Sequence, residues 1–388
     1  MITGFTSTGS KRPDQLYGPG DFDGIPIRMT RSRGCTVWDD RDREYLDFIM
    51  ALGAVALGYG YPAVNRAAQE AIESGVVGSL APVHEEALAQ DLKRRIPLLE
   101  QVRFLKTGAE AVAAAVRIAR VSTGREKVLG CGYHGWLDWC QVDDAAVPAG
   151  TRAVFKTLRF NDPEDARKQI RATGKRLAAV VIEPVIEAAP SIEWLQVLRD
   201  ESTAVGAVLI FDEIKTGCRL AVGGATERYG VQPDLMVMGK ALANGFPLAL
   251  VGGRMSIMEA ATRTWVSSTL ATELVSLAAA RATLELMAAA HVPARLAESG
   301  QQLWQGLTRL KQQYPNLIGE VRGVPEMCFL EYRGEATGPA VARATARRGL
   351  LFKRTAYNFV SLAHHGADIE KALGILEEVL QDPSLRSG

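Results

Sequence analysis

Two apolar segments in the middle of the chain each end in residues that could do chemistry. The run from Ala207 to Phe211 is apolar and β-prone, and it ends in the carboxylates Asp212 and Glu213. A second short run begins at Asp234 and delivers Lys240 into a glycine-rich turn. Buried strands that end in charged residues place them at the carboxyl edge of a sheet, where α/β proteins bind ligands. We therefore expect these side chains at a ligand site.

A lysine at the end of a buried strand is costly unless it has a chemical use. Burial favours the neutral amine, which is a nucleophile. An isolated Gly-Lys is more often a surface residue, but the acid upstream changes that interpretation. A Schiff-base lysine with an aspartate partner for a pyridinium nitrogen is the residue pair of pyridoxal phosphate (PLP) sites. Lys240 and Asp212 fit this pair, in which the aspartate keeps the nitrogen protonated so that the ring accepts electrons.

The segment that contains both residues resembles a known family. It reads DEIKTGCRLAVGGATERYGVQPDLMVMGKALANGFPLALVGGR and is similar to the central signature of class III PLP-dependent aminotransferases, nearest to the glutamate-1-semialdehyde 2,1-aminomutase-like branch. The resemblance implies that Lys240 is the Schiff-base lysine, that Asp212 is the pyridinium partner and that Ile214 packs on one ring face. It also implies fold type I, the aspartate aminotransferase-like fold, with a mostly parallel central sheet, helices on both faces and a smaller α+β domain.

Composition excludes several other classes of protein. The 388 residues suffice for two domains, and 47% hydrophobic with 23% charged residues are ordinary for a globular protein. A formal net charge of +1 gives no field that attracts nucleic acid or an acidic membrane. No apolar run approaches a membrane span and no signal pattern opens the chain, so we expect a cytoplasmic protein. Five scattered cysteines predict free thiols and no metal site.

Strands that alternate with helices along the middle of the chain predict a doubly wound, parallel sheet. We expect an N-terminal arm and small-domain hairpin over 1–50, a large PLP-binding domain over 51–290 and a C-terminal small domain over 291–388. Within the arm, residues 1–30 are rich in Gly, Pro and Asp and predict irregular structure.

A phosphate cradle is expected where a short strand meets a helix. Thr107, Gly108 and Ala109 lie at the helix start, where free backbone N–H groups and the helix dipole favour an anion. A Thr-Gly before a helix is often just a cap, but this one resembles the family's SGTEA loop. Ala109 lacks the family's hydroxyl, so backbone donors must carry more of the binding. Glu110 is expected to orient the helix start.

Other cofactor-binding residues follow from the resemblance. Tyr133, in GYHGW, resembles the aromatic residue that stacks on the PLP ring, and His134 lines the site or is structural. Glu183, at another strand end, lies near the cofactor edge or is an ordinary strand-end acid. Lys215 stands where relatives often have Gln or Met near the phenolic oxygen. It stabilises that oxygen's charge or points to solvent.

A segment from Val266 onward is predicted to open a long, Ala-rich helix and resembles the family's GTFSGNPLAMAAG. In that family its threonine reaches the phosphate of the other subunit, so Thr269, helped by Ser268, is the candidate here. Glu273 replaces the usual Asn. The resemblance therefore implies an obligate homodimer with shared active sites.

Substrate residues are the least defined. Relatives often carry an aromatic residue where Leu52 lies. Lys353 and Arg354 lie where the small domain of relatives faces the substrate, or they are solvated charges on an edge strand. The partners implied are a small-molecule amino donor and a carbonyl acceptor, neither of which these residues identify.

Transamination is the expected reaction. An amino donor passes its amino group through the Lys240 Schiff base and a pyridoxamine phosphate intermediate to the acceptor, possibly in a specialised biosynthetic pathway. The alternative is an intramolecular 2,1-amino shift of the glutamate-1-semialdehyde type, but relatives with that activity use a gating loop and the segment between Trp139 and Phe155 is short. A decarboxylating variant and a non-catalytic PLP-binding protein are further alternatives.

Overall fold

The computed structural model of the chain describes residues 2–141 and 146–382. Helices and strands are numbered in chain order. The helices are α1 (Pro13–Tyr17), α2 (Met50–Gly53), α3 (Pro62–Glu73), α4 (Val83–Arg95), α5 (Gly108–Thr123), α6 (Ala149–Arg152), α7 (Pro163–Thr173), α8 (Ile192–Val205), α9 (Gly224–Tyr229), α10 (Met255–Met258), α11 (Leu274–Ala289), α12 (Val292–Gln313), α13 (Thr337–Arg347) and α14 (Gly366–Gln381). The strands are β1 (Met29–Arg33), β2 (Thr36–Asp39), β3 (Glu44–Asp47), β4 (Gln101–Leu105), β5 (Lys127–Cys131), β6 (Phe155–Thr157), β7 (Leu177–Ile182), β8 (Val208–Asp212), β9 (Leu235–Met238), β10 (Ala249–Gly253), β11 (Ile318–Val324), β12 (Met327–Tyr332), β13 (Leu350–Leu351) and β14 (Asn358–Phe359).

The chain divides into two compact units. The first joins Met1–Tyr61 to Ala294–Gly388, and the second is the continuous stretch Pro62–Pro293. The N-terminal and C-terminal segments, which the sequence analysis treated as separate, therefore form one unit.

Residues 51–61 pack within the first unit, although they were assigned to the large domain from the sequence. An added Cβ at Gly53 would lie 2.7 Å from the ring of Phe359, and one at Gly58 would lie 2.7 Å from the methyl group of Ala363. Both glycines have positive φ. Close approach and backbone conformation together require glycine there.

The first unit contains two small sheets. One has the order β1-β2-β3-β13, with β13 parallel to β3, and the other has the order β11-β12-β14. The predicted hairpin of β2 and β3 is present. The prediction of an irregular arm over 1–30 was wrong in part, because α1 and the start of β1 lie within it. Four of the five residues of β1 are polar, and the strand is mostly exposed at the sheet edge, so no apolar alternation marks it as a strand.

The second unit is built on a seven-stranded sheet of order β4-β10-β9-β8-β7-β5-β6. Strands β6, β5, β7, β8 and β9 are parallel to their neighbours in this run, and β10 is antiparallel to both β4 and β9. The expectation of a mostly parallel sheet is confirmed. Parallel neighbours bring their carboxyl ends to the same edge.

Helices cover both faces of this sheet. Helix α5 packs on one face with Val128, Val181 and Ile210, and α8 packs on the other with Val180 and Leu209. Each fully buried Val, Leu or Ile side chain contributes about 1.5–3 kcal/mol. The strands that end in charged residues are thus held on a rigid frame.

The predicted helix from Val266 starts later in the structure. The chain makes a short 3₁₀ turn over Thr269–Thr272, and α11 begins at Leu274. Glu273 accepts hydrogen bonds from the backbone of Val275 and Ser276 and so caps the helix. A strong N-cap at this position ends the turn and starts the helix.

Strand β14 is two residues long and ends at Phe359. Of the short segment between Trp139 and Phe155, residues 142–145 lie outside the described part of the chain. Among the described residues, no single helix is long and apolar enough to cross a membrane.

Candidate active site

Four adjacent parallel strands bring the predicted site residues to one sheet edge. Along the order β9-β8-β7-β5, Asp212 pairs with Val237 of β9, and Ile182 of β7 pairs with Cys131 of β5. Lys240, Glu183 and Tyr133 follow β9, β7 and β5 within two residues of the strand ends. We call Glu183, Asp212, Lys215 and Lys240 the strand-end cluster.

Asp212 is a buried carboxylate with fixed orientation. Nδ1 of His134, which is also buried, lies 2.9 Å from its Oδ2, and the backbone N–H of Ile214 donates to its Oδ1 at 3.2 Å. Because a carboxylate accepts, the imidazole carries its proton on Nδ1. Within the described residues, Nε2 of His134 has no hydrogen-bond partner. His134, which the sequence left open between two roles, orients Asp212.

Lys240 lies in a conformation that few non-glycine residues adopt. Its φ is +47°, in the left-handed region that costs an L-residue about 1–2 kcal/mol. Residues held in this way concentrate at functional sites. Burial lowers the pKa of Lys240 to about 8, and the nearby ammonium of Lys215 acts in the same direction. The amine is therefore partly free of its proton at neutral pH.

Glu183 fastens two other residues of the site. Its Oε1 accepts a hydrogen bond from the backbone N–H of Tyr133, and its Oε2 forms an ion pair with Lys215. Glu183 and Lys215 are 5% and 13% exposed in their side chains. Lys215 therefore does not point to solvent, and Glu183 does more than end a strand.

The ring of Tyr133 is exposed. The residue is 69% exposed, although its backbone is held by Glu183. Its neighbour Gly135 presses on the start of α5, where an added Cβ at Gly135 would lie 2.5 Å from Cβ of Ala109. The loop that carries Tyr133 therefore packs against that helix start through Gly135.

Thr107, Gly108 and Ala109, which we call the helix-start cradle, open α5. Thr107 and Glu110 form a reciprocal capping box, so Glu110 orients the helix start as expected. The capping box uses the N–H groups of Thr107 and Glu110, which leaves the N–H groups of Gly108 and Ala109 as donors for an anion. An added Cβ at Gly108 would lie 2.4 Å from Cδ1 of Ile214, so only glycine permits this approach.

Ser268 and Thr269 lie on an extended segment and the turn that follows it. Ser268 is half-buried and Thr269 is exposed. Two arginines hold the segment in place. Arg103 donates two hydrogen bonds to the carbonyl of Val266, at 2.8 and 3.1 Å, and Arg117 donates to the carbonyl of Trp265 at 2.9 Å.

A buried ion pair ties the same segment to the strand before the helix-start cradle. Nζ of Lys106 lies 2.5 Å from Oε1 of Glu273, and their side chains are 14% and 11% exposed. Sequence reasoning noted Glu273 but missed Lys106, Arg103 and Arg117. The usable signal was the change of charge at Glu273, because a buried carboxylate requires a partner.

The candidate substrate residues lie in the other unit. Leu52 is half-buried in α2, with φ of +59°. Nζ of Lys353 donates to the carbonyl of Ala356 at 2.5 Å, so this ammonium holds its own loop. Nε of Arg354 is buried without a hydrogen-bond partner among the described residues. Arg354 is the better candidate for an anion.

Comparisons with known proteins place the chain in a family. A sequence profile of class III aminotransferases matches residues 18–380. The chain belongs to the class III aminotransferase family. It is 34% identical over 400 residues to a glutamate-1-semialdehyde 2,1-aminomutase of Thermus thermophilus, and the match covers 92% of each chain.

Solved structures of transaminases share its fold. A transaminase with PLP bound matches with a TM-score of 0.86 and 25% identity over 95% of this chain and 94% of that one. An ω-transaminase from Sphaerobacter thermophilus matches with a TM-score of 0.85 and 27% identity, with the same coverage. The fold is fold type I, as expected.

PLP is the cofactor of this class III enzyme, and the residues of the site fit it. Lys240 offers an amine, Asp212 a buried carboxylate and the helix-start cradle its backbone donors. The contact of Gly108 with Ile214 leaves the helix start close to the side chain expected to pack on the ring. Of the described residues, no group of His, Cys, Asp and Glu could hold a metal ion.

Proposed function

We propose that the protein moves an amino group between carbon atoms of small carbonyl compounds, with PLP as cofactor. One observation carries this proposal. The strand-end cluster joins a lysine whose pKa burial lowers to about 8 to a buried carboxylate held by His134. A metal-dependent or purely structural protein has no need for this combination.

Each residue has a stated role. Lys240 would hold PLP through Nζ, Asp212 would bind its ring nitrogen, Tyr133 would cover a ring face and the helix-start cradle would bind its phosphate. PLP, when bound, supplies an electron sink for the carbon that bears the amino group. After the amino group of the substrate has replaced Lys240 on PLP, Nζ of Lys240 would be a free amine that can take a proton from that carbon and return it to a neighbouring atom. A pKa near the working pH suits a group that must both accept and donate.

The first candidate reaction is an intramolecular 2,1-amino shift on a semialdehyde. Its support is the aminomutase of Thermus thermophilus and a second one from Thermodesulfovibrio yellowstonii, which is 31% identical over 386 residues. In such a shift the amino group and the carbonyl oxygen exchange positions on adjacent carbons, so no second substrate is consumed.

The second candidate is transamination from an amino donor to a separate carbonyl acceptor. Its support is the likeness to solved transaminases at 25 and 27% identity. The ion pair of Glu273 with Lys106, where the family carries Asn at the first position, also favours a specialised member. A decarboxylating or silent PLP-binding protein has no such support.

One assay separates the two candidates. The purified enzyme is given glutamate-1-semialdehyde alone, and the isomer with the amino group on the neighbouring carbon is quantified. Conversion without any acceptor supports the amino shift. If only mixtures of an amino acid with a separate carbonyl compound react, transamination is correct. If neither reacts and no substrate exchanges its α-hydrogen with solvent, the enzymatic proposal is wrong.

We further propose a homodimer in which each site is completed by Thr269 of the other copy. Thr269, Trp265 and Leu270 are exposed, although the backbone of their segment is firmly held. The N–H of Leu274 donates to the carbonyl of Val76 at 2.8 Å, which brings this segment beside further exposed apolar residues, namely Val76, Val77 and Leu80. A rigid segment with exposed apolar neighbours suits contact with a second chain.

A further inference from the structure

We propose that Lys215 is a second ammonium of the active site, clamped by Glu183, and that its charge helps keep the amine of Lys240 free of its proton near neutral pH. The inference rests on the proposed role of Lys240. It makes Lys215 a positioning residue that acts through Lys240.

In the strand order of the sheet, Lys215 lies between its ion-pair partner Glu183 and the amine of Lys240. Lys215 lies three residues after the last residue of β8, the strand between β7 and β9. Glu183 comes directly after β7, and Lys240 comes shortly after β9. The side chains of Lys215 and Glu183 are 13% and 5% exposed. Solvent and salt therefore screen the charge of Lys215 only weakly.

Charged side chains of the site act on Lys240 in both directions. Apart from burial, which has the largest effect, Lys215 and Arg219 lower its pKa, and Glu183 and Asp212 raise it. Lys215 is the strongest of these four charges. Both carboxylates are already engaged, Asp212 by His134 and Glu183 by the backbone of Tyr133. The ion pair with Glu183 fixes the position of the Lys215 ammonium.

The lowered pKa increases the fraction of Lys240 that is unprotonated near neutral pH. A lysine with the ordinary pKa of about 10.4 has well under 1% of its amine unprotonated at pH 7. A pKa of about 8 leaves about a tenth of Lys240 unprotonated at pH 7. A desolvated lysine beside another cation is a known way to make an amine nucleophilic.

An ordinary structural ion pair would look similar, but it makes a different prediction. If Lys215 and Glu183 only support the fold, removing either partner disturbs Lys240 in the same way. If their charges act on Lys240, removing the cation raises the pKa of Lys240 and removing the anion lowers it. The sign of the two effects therefore decides between the roles.

The test compares Lys215→Met, Lys215→Arg and Glu183→Gln in the full-length holoenzyme. The visible absorbance of bound PLP is titrated with pH to follow the protonation of the Schiff-base nitrogen that Lys240 supplies, on which nearby charges act with the same sign as on the free amine. We expect the midpoint to rise by about one pH unit or more in Lys215→Met, to fall in Glu183→Gln and to stay close to the wild type in Lys215→Arg. Shifts of the same sign in Lys215→Met and Glu183→Gln, or no shift, would overturn the inference.

A second readout does not depend on PLP. The full-length protein freed of PLP is acylated with an amine reagent over a range of pH, and modification of Lys240 is quantified by mass spectrometry. Lys215→Gln, which retains hydrogen bonding to Glu183, replaces Lys215→Met if the latter fails to fold. A higher pH midpoint for the acylation of Lys240 in the Lys215→Met or Lys215→Gln variant than in the wild type supports the inference. An unchanged midpoint refutes it. A wild-type protein that binds no PLP would refute the proposed function but leave this measurement intact.

Discussion

The strand-end cluster and the helix-start cradle belong to the same unit but are built in opposite ways. In the cluster, both carboxylates are buried and have partners within the chain. In the cradle, donors lie at a half-buried helix start, and the candidate that would complete the site, Thr269, is exposed. The contrast supports our proposal that one chain suffices to tune the amine of Lys240, whereas a second chain completes the site for the phosphate.

The largest effect should come from the cluster. We expect Lys240→Ala to lower turnover by at least about 10⁴-fold, because it removes both the attachment of PLP and the base. Stability without PLP should not fall, since the charged form of a buried lysine opposes folding. Turnover and thermal unfolding are measured, with the exposed Lys371→Ala as control. Turnover close to the wild type would refute the role of Lys240.

Asp212→Asn should have the next largest effect. It keeps the shape and the contact with His134 but removes the charge. We expect turnover to fall by about 10²–10³-fold, as when one electrostatic group of an active site is lost, with PLP still bound. Steady-state kinetics and bound-PLP absorbance check this. A loss below about tenfold would mean that the carboxylate only supports the structure.

The reaction should also depend on pH through Lys240. Because the pKa of Lys240 is lowered to about 8 and only the neutral amine accepts a proton, kcat should rise about tenfold per pH unit below that value and level off above it. The profile is measured between about pH 6 and 9.5 with the ionic strength held constant. A flat profile across this range would contradict the assignment.

The same contrast explains what the sequence could reveal. All six residues of β7 are apolar and buried, so composition alone predicts its bounds. Lys240 and Asp212 were identified because each ends such a strand. By contrast, His134 is 78 residues from Asp212, and Lys106 is 167 residues from Glu273. Contacts over these separations depend on how the sheet and helices pack, which no local pattern contains.

The sequence analysis also failed to predict structural elements that are exposed and polar. Strand β1 and the turn over Thr269–Thr272 carry no apolar alternation, since β1 has no buried residue and the turn buries only Ala271. The helix predicted from Val266 extended the Ala-rich periodicity too far upstream. It overlooked Glu273 as the residue that caps the true helix start.

Thr269→Ala tests the open half of the site. Loss of one hydrogen bond to a charged phosphate costs about 1.5–3 kcal/mol, so we expect the PLP dissociation constant to rise about tenfold or more. The exposed Thr262→Ala is the matched control. A mixed dimer of one Thr269→Ala chain and one Lys240→Ala chain should contain one intact active site, built from the Lys240 and the Thr269 that remain. Its other active site should lack both residues. Unchanged PLP retention in Thr269→Ala would remove the support for shared sites.

The ion pair of Lys106 with Glu273 should have the smallest effect. Glu273→Gln and Lys106→Met should each weaken PLP binding about threefold to tenfold, because both anchor the segment beside the helix-start cradle. A double-mutant cycle measured by PLP titration and by urea unfolding should give a coupling of about 0.5–3 kcal/mol. Additive effects would show that the pair does not couple these two segments.

The most direct test of the account is to identify the lysine that holds PLP. The purified holoenzyme is reduced with borohydride, which fixes PLP to the lysine it is bonded to, and is then digested and analysed by mass spectrometry. We predict one added phosphopyridoxyl group, on the peptide that contains Lys240. Label on Lys215 or another lysine, or no label in a protein that has been supplied with PLP, would contradict the central claim.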